Sequence, residues 1–420
     1  MKGVRRRAAK IQSPMMGGSQ QAAAADPRSI LVVLPTWVGD FVMATPALRA
    51  IRERFTSAHI ALLLDPNLRE LVRGGDWMNE CVEWPARGQR SPIHRQFRDF
   101  VWDLRRRRFD WAVLLPNSFR SAMFTWFIRA QRRIGYNREA RGPLLTDRLA
   151  TPNGRRGWWR DAESAAASVW GPREAWNAPP VRLGASLPKK PRRFVPMPLV
   201  EYYARLAQAL GCERPGDRLE LFTTPDCDES IDRRLASNGA VERRPLVVIS
   251  PGAKFGASKC WMPERFAAVA DRLIAENDAT VSVTCGPGEE AIARAIASCM
   301  ERKGLVFDDP PLSLGELKSL IRRSELWIGN DAGPRHIAKA FDVPAVTIFG
   351  PTHPDWTATK HRDERIVRID VDCGPCQQRV CPPGHHQCMT GVTVEAVYAA
   401  ARELLERKSP KGKAAALTRP

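Results

Sequence analysis

The chain has 420 residues, 44% of them hydrophobic and 26% charged, with ten cysteines and a formal net charge of +19. That length suits two domains with cores of their own, and no apolar run approaches the roughly 20 residues of a membrane-spanning helix. The opening stretch, "MKGVRRRAAKIQSPMMGGSQQAAAAD", is basic but lacks the apolar centre of a signal peptide, so a cytoplasmic protein with an unfolded leader is expected. In that compartment the cysteines read as thiols or metal ligands rather than disulfides.

The positive charge is unevenly spread. Residues 1–28 hold six Lys/Arg against one Asp, and residues 407–420 hold five Lys/Arg and no acid. About half of the excess therefore lies in two ends expected to be disordered. Such ends can simply keep a protein in solution, or they can attract an anionic membrane surface or nucleic acid. Nucleic acid has no further support, because no zinc-finger spacing, recognition helix or aromatic-interleaved basic motif accompanies the charge.

From residue 29 onward, apolar runs alternate with helical patterns. "ILVVL" at Ile30–Leu34 reads as a strand feeding an amphipathic helix that ends near Phe55. "HIALLL" (His59–Leu64) precedes a short helix, "CVEW" (Cys81–Trp84) a longer one over Ile93–Arg107, and "WAVLLP" (Trp111–Pro116) the run "NSFRSAMFTWFIRA". Continuous apolar strands separated by helices predict a parallel sheet covered on both faces. Residues 151–195, rich in Pro, Gly, Arg and Trp, read as an insertion into a first domain covering 29–211. Its tryptophans suit either packing on the domain surface or a membrane interface.

A helix at Leu199–Leu210 and a linker over 212–244 lead to a second domain, 245–391. Here "PLVVIS", "ATVSVTCG", "LVFDD", "ELWIGND" and "PAVTIFGP" supply about five strands. Helices at Pro263–Glu276, Glu289–Glu301, Leu314–Arg323 and Pro334–Phe341 separate them, and one more over 392–407 precedes the basic tail from 408. The predicted fold class is α/β, two doubly wound Rossmann-like domains facing each other across a cleft.

Ligands of such sheets sit beyond the carboxyl ends of the strands, and four loops there carry chemistry. "SPGAKFGASKCWMPE" has Gly252 and Gly256 to turn amides inward and Lys254 and Lys259 as cations, with Lys259 placed just before a helix. The spacing is not a Walker loop, but it suits a diphosphate; two solvated lysines on a turn are the plain alternative. In "GNDAGPRHIAKA", Asp331 is positioned to cap a helix whose first amides, at Ala332 and Gly333, face an anion. His336 falls one turn in, facing cleft or core. In "CGPGEEA", Glu289 and Glu290 open a helix, suited to ribose hydroxyls or simply to the helix dipole. In "LPTWVGDFVMATP", Asp40 is either a helix cap or a general base for an acceptor hydroxyl, and a helix N-terminus favours its anion and a lowered pKa. Trp37 and Gly39 flank it and are candidate acceptor contacts.

These loops, in this order, resemble the bacterial ADP-heptose:lipopolysaccharide heptosyltransferases of glycosyltransferase family nine, nearest the heptosyltransferase II branch. The segments that carry the resemblance are "WVGDFVMATPALRAI", "VLLPNSFRSAMFTWFIRAQRRIGYNREAR", "SPGAKFGASKCW" and "NDAGPRHIAKAFDVPAVTIFGPTHPDWT", and they span both domains. The resemblance implies the GT-B fold and an inverting transfer of heptose from ADP-heptose to the inner core of lipopolysaccharide. It also implies a lipid-linked acceptor met at the cytoplasmic face of the inner membrane, by a monomer peripheral to that membrane. Residue by residue it implies Asp40 as catalytic base, Lys259 as donor-phosphate ligand, and Asp331, Ala332 and Gly333 around the diphosphate with His336 close by. It places Glu289 or Glu290 at the donor ribose, and Arg120 and Arg138 toward phosphorylated acceptor sugars. No cofactor is required for catalysis, because ADP leaves as a stable anion and no acid need protonate it.

Two stretches depart from the family pattern: the long segment 151–195 and "CGPCQQRVCPPGHHQC". In the second, Cys373, Cys376, Cys381 and Cys388, with His385 and His386, have spacing for a structural zinc, or are free thiols. Two readings from other classes compete. A nicotinamide oxidoreductase lacks its G-x-G-x-x-G after either first strand, and a nucleic-acid or membrane-surface binding protein rests on the basic ends alone. A family-nine enzyme with another acceptor or nucleotide sugar is the closer alternative.

Overall fold

The computed structural model describes residues 26–91, 93–150, 197–240 and 244–408, and the backbone of 181–182. The expected leader up to residue 25, nearly all of the 151–195 insertion and the tail beyond 408 lie outside these residues.

The first sheet has strands β1 (Ser29–Val33), β2 (His59–Leu64), β3 (Glu80–Glu83), β4 (Trp111–Leu114), β5 (Arg132–Tyr136) and β6 (Asp147–Leu149), in the order β3-β2-β1-β4-β5-β6. The two-residue β7 (Val181–Arg182) joins the second sheet. The rest of that sheet comprises β8 (Leu246–Ser250), β9 (Thr280–Thr284), β10 (Leu305–Phe307), β11 (Leu326–Asn330), β12 (Ala345–Ile348) and β13 (Glu364–Arg368). Its order is β10-β9-β8-β11-β12-β13-β7. Every pairing is parallel. Each sheet thus reverses direction once, between β1 and β4 in the first domain and between β8 and β11 in the second. Those two switch points are where a doubly wound sheet leaves a crevice for ligand.

The helix after β1, Val38–Arg54, contains Pro46, whose missing N–H leaves the carbonyl of Val42 without its usual donor. Thr45 Oγ1 donates to that carbonyl at 2.8 Å and repairs the gap. Helix Leu199–Ala209 lies along this first helix, so the chain returns to the first domain after the insertion.

The segment read as a linker over 212–244 holds a helix, Pro225–Ser237. Its sequence is largely charged and buries only Cys227 and Ile231, too few apolar positions to signal a helix. It is held instead by ion pairs from Arg323 to Asp228 (2.7 Å) and Asp232 (2.8 Å) on helix Leu314–Arg323 of the second domain. Upstream, Glu220 ties the segment to the first domain, accepting from Trp77 Nε1 at 2.5 Å and pairing with Arg49 at 2.6 Å. The final helix, Val394–Lys408, packs on the second sheet and on helix Pro263–Asn277.

Candidate functional site

Helix Val38–Arg54 starts at the β1 switch point and helix Gly333–Ala340 at the β11 switch point, and the two pack together across the cleft with their first turns in contact. Small residues allow it. A Cβ on Gly333 would stand 2.7 Å from Val38 Cβ, and one on Gly39 would stand 2.9 Å from the His336 ring. Asp40 is brought within electrostatic reach of Lys259 and Asp331.

Asp40 does not cap its helix. Trp37 is the N-cap residue, without a side-chain capping bond, and Asp40 lies in the first turn. Its side chain makes no hydrogen bond or ion pair among the described residues. The sequence predicts a lowered pKa at this helix start; the structure reverses that. Burial raises it to about 6, offset in part by Lys259 and reinforced by the charge of Asp331. Part of the carboxylate still reaches the cleft, but protein surrounds it on most sides.

On the first-domain side Asp40 opens onto a cavity of about 400 Å³ that is also lined by Trp37, Arg90, Asn117, Arg120 and Tyr202. Trp37 is 44% exposed at its rim. Arg120 is exposed and lines the cavity. Arg138 is not among the lining residues; it hydrogen-bonds Tyr202, which is. Arg90, Asn117 and Tyr202 escape sequence reasoning because they come from three separate segments. Arg90 is fixed by Asp65 at 3.0 Å, and Asn117 Oδ1 accepts from the Tyr202 hydroxyl at 2.6 Å.

The second-domain side is built on Asp331. The sequence places Asp331 as a helix cap, yet Ala332 holds the N-cap position with no side-chain bond. Asp331 is committed elsewhere: its carboxylate takes Lys259 at 2.5 Å, Thr352 Oγ1 at 2.7 Å and Arg335 at 3.2 Å. Burial works against its charge, but Lys259 and Arg335 outweigh burial and hold its pKa at about 2. Lys259 also donates to the main-chain oxygen of Asp331 at 2.9 Å. An ammonium has three N–H donors, so one remains for a ligand. Lys259 ends a 3-10 turn, Ala257–Lys259, four residues ahead of helix Pro263–Asn277 rather than directly at its start. Lys254 is exposed on the outside of the same loop.

Asn330, buried at the end of β11, staples this loop from beneath: its Nδ2 donates to Pro251 O at 2.6 Å and its Oδ1 accepts from Trp261 N. Behind it lies a buried ionic cluster. Arg335 and Lys339 pair with Glu364 at 2.5 and 2.7 Å. Asp331, just ahead of the helix, and Arg335 and Lys339 within it recur every four residues, a spacing that is the one sequence signal for the cluster. His336 is buried beside it with Nδ1 unpartnered. Burial, then Arg335 and Lys339, hold its pKa well below the usual imidazole range. It is a neutral ring wedged on Gly39 at the contact between the domains.

Glu289 and Glu290 part company. Glu289 bends back so that its Oε2 accepts from Gly286 N at 3.1 Å, and a Cβ on Gly252 would lie 2.0 Å from the same oxygen. Its carboxylate therefore lies against the Ser250–Lys259 loop. Glu290 accepts from Gly288 N at 3.0 Å, and that backbone bond lowers its pKa.

The four C-terminal cysteines line one cavity of about 150 Å³ together with His385 and His386. Among the described residues, however, no group of three or more His, Cys, Asp or Glu side chains is arranged to hold a metal ion. What this segment visibly does is brace the Lys259 loop. Ser258 donates from N to Arg379 O (3.2 Å) and from Oγ to Gln378 O (2.6 Å), and accepts on its carbonyl from His386 Nε2 (2.8 Å). Gly256 takes φ +155, and a Cβ there would strike Arg379 O at 2.3 Å.

Similarity to known proteins agrees with this layout. Over 391 residues the chain is 26% identical to lipopolysaccharide heptosyltransferase 2 of Salmonella typhimurium, covering 90% of this chain and 99% of that one. The solved structure of Escherichia coli ADP-heptose LPS heptosyltransferase II superposes with a TM-score of 0.66 at 23% identity, over 90% of this chain and 99% of that one. A family 9 glycosyl transferase of Veillonella parvula gives 0.68 at 20% identity, over 91% and 98%. Both have the same fold, GT-B. The sequence pattern described as glycosyltransferase family 9 (heptosyltransferase) matches residues 97–160 and 189–386, more than half of the chain. The chain belongs to glycosyltransferase family 9 and is a sugar-transferring enzyme.

Proposed function

We propose that the protein transfers a heptose from ADP-heptose to the inner core of lipopolysaccharide with inversion at the anomeric carbon, Asp40 acting as general base. The observation that carries this reading is the placement of Asp40. It is a carboxylate without a cation bonded to it, with a pKa of about 6, set between an open cavity on one side and Lys259 and the helix start at Gly333 on the other. The acceptor hydroxyl enters the cavity, gives its proton to Asp40, and its oxygen attacks the anomeric carbon. The bond from that carbon to the diphosphate breaks with its electron pair going to ADP. The remaining N–H of Lys259 and the amides at Ala332–Gly333 stabilise that charge. Glu289, lying on the donor loop, receives the ribose hydroxyls. Arg120 and Arg90 meet acidic groups of the acceptor.

ADP-heptose, a lipid-linked core acceptor and the cytoplasmic surface of a membrane are the partners in this reading. No described helix is long and apolar enough to cross a membrane, so contact with the bilayer is peripheral. The test is incubation with ADP-heptose and a set of truncated core acceptors, reading product mass and anomeric configuration. One added heptose of inverted configuration is expected. No product with any acceptor, or retained configuration, overturns the reading; product only with another ADP-sugar moves it to a different donor.

A further inference from the structure

Helix Phe119–Phe127 is apolar on both sides. Its inner side, Ala122 and Phe124, is buried with Phe97 and Leu104 of helix Arg95–Arg106 against Leu31, Leu63 and Leu114 of the first sheet. Its outer side, at one-turn spacing, is Phe119, Met123, Trp126 and Phe127, with Phe119 46% and Trp126 50% exposed. A water-facing helix ordinarily puts polar residues there. Because both helices cover the same sheet face, their outer sides look the same way. On the second helix that side shows Trp102, 54% exposed, with the guanidinium groups of Arg105 and Arg106 over its ring at 5.3 and 5.8 Å.

The charge around this apolar strip has one prevailing sign. Arg98, Arg105, Arg106, Arg108, Arg120 and Arg129 form no ion pair among the described residues. The acids of the helix, Asp99 and Asp103, are each paired, with Arg95 at 3.5 Å and Arg107 at 3.1 Å. The strip also borders the Asp40 cavity, whose wall takes Phe97 from one helix and Ser118 and Arg120 from the start of the other.

We propose that the outer side of these two helices is where the enzyme docks onto an anionic lipid bilayer. Trp102, Phe119 and Trp126 lie at headgroup depth, where amphipathic rings are favoured, and the unpaired arginines meet anionic headgroups. The cavity mouth is thereby held over the surface from which a lipid-linked sugar projects. This rests on the reading of a lipid-linked acceptor, and the experiment separates the two.

The full-length chain and its Trp102→Ser/Trp126→Ser variant are sedimented with vesicles of phosphatidylethanolamine and phosphatidylglycerol, and with vesicles of phosphatidylcholine alone. Binding is read at low salt and again at high salt, which screens the basic ends and the helix arginines alike and leaves the contribution of the rings. Neither tryptophan lines the cavity, so transfer to a soluble, lipid-free core oligosaccharide should be unchanged, which also shows that the variant folds. The expected result is a loss of about tenfold or more in binding to the anionic vesicles, given the apolar area each ring buries, and an equal loss of transfer to acceptor embedded in them. Unchanged vesicle binding overturns the proposal. So does a parent chain that self-associates in sedimentation velocity while the variant does not, with vesicle binding equal in both, since the strip then covers a second copy. Absence of transfer to any acceptor, with tryptophan-dependent vesicle binding intact, overturns the function and leaves the docking surface standing.

Discussion

Asp40 and Asp331 hold matching places in the two domains, each at the carboxyl end of the strand–helix corner beside a switch point. Their electrostatics are opposite. Burial raises the pKa of Asp40 to about 6; burial also opposes the charge on Asp331, yet Lys259 and Arg335 hold that group at about 2. The difference lies in partners rather than depth. Asp331 has two cations and a threonine hydroxyl bonded to it, whereas Asp40 has none. A carboxylate saturated with donors cannot take a proton near neutrality. One that lacks them can; in the proposed reaction, therefore, the first domain supplies the base and the second uses its aspartate as a strut for the cations assigned to the leaving group.

Removing the base should have the largest effect. Asp40→Asn keeps the shape and is expected to lower kcat by about 10³ while leaving ADP-heptose affinity within a few-fold; single-turnover rates and calorimetric donor titration check this. In the parent, kcat/KM should climb about tenfold per pH unit below 6 and level off above it, since only the ionised form accepts the proton. Stability has the opposite sign. A folded-state pKa above the unfolded value favours the folded state at low pH, and that contribution is lost as pH rises from about 4 to 6. Asp40→Asn should therefore melt higher than the parent at pH 7, and a lower melting temperature would contradict the assignment.

Lys259→Ala tests the other half of the comparison and comes next in size. Transfer should fall by about 10² through weaker stabilisation of the departing diphosphate. Unlike the loss of Asp40, this change should destabilise the fold, by about 3 kcal/mol, because a buried carboxylate is left with Arg335 as its remaining cation. Asp331 has a depressed pKa, so its stabilising share is present above pH 4 and disappears as pH falls toward 2. Combining Lys259→Met with Asp331→Asn should restore part of the stability but none of the activity, as read by urea melts and product mass.

In the proposed reaction, the contact between the two helix starts lets the halves act together. Gly333→Ala sets a methyl 2.7 Å from Val38 Cβ, and Gly39→Ala sets one 2.9 Å from the His336 ring. Either should push Asp40 away from the donor side and lower kcat about tenfold, with little change in donor affinity. A pH profile whose limb moves below 6 would accompany the displacement, since Asp40 would then be better solvated.

The strands that build both switch points are plain in the sequence because they are buried on both faces and so are continuously apolar, as in Ile30–Val33 and Val247–Ile249. β5, β6 and β13 are not. They read "RRIGY", "DRL" and "ERIVR", and the acid that opens β13, Glu364, is buried only because Arg335 and Lys339 neutralise it. Helix Pro225–Ser237 was hidden for the same reason: ion pairs to another domain replace an apolar stripe. Within the site, the position of Asp40 was legible, chiefly through the family resemblance, but its environment was not. Burial dominates its pKa, and the two charges that adjust it, Lys259 and Asp331, lie in the other domain. The expectation of a lowered pKa considered only the local helix and missed the desolvation created where two helix ends close on each other. The Lys259–Asp331 pair likewise joins loops 72 residues apart, so each looked free to serve a ligand alone.

The smallest predicted effect separates Glu289 from Glu290, adjacent residues that composition and spacing treat alike. The Glu289 carboxylate rests on Gly252 in the donor loop, while that of Glu290 is spent on the Gly288 amide at the exposed start of helix Glu290–Cys299. Removing an acceptor for ribose hydroxyls costs one or two hydrogen bonds, about 1–2 kcal/mol, which is roughly a tenfold rise in KM for ADP-heptose with kcat unchanged. Glu289→Gln should show that rise, and Glu290→Gln should stay within twofold of the parent. The reverse ranking would mean that the loop turns over when the donor enters. Equal, small effects would mean that the ribose is held by main-chain groups of the Ser250–Lys259 loop, and that the Glu289 carboxylate serves only to shape that loop around Gly252.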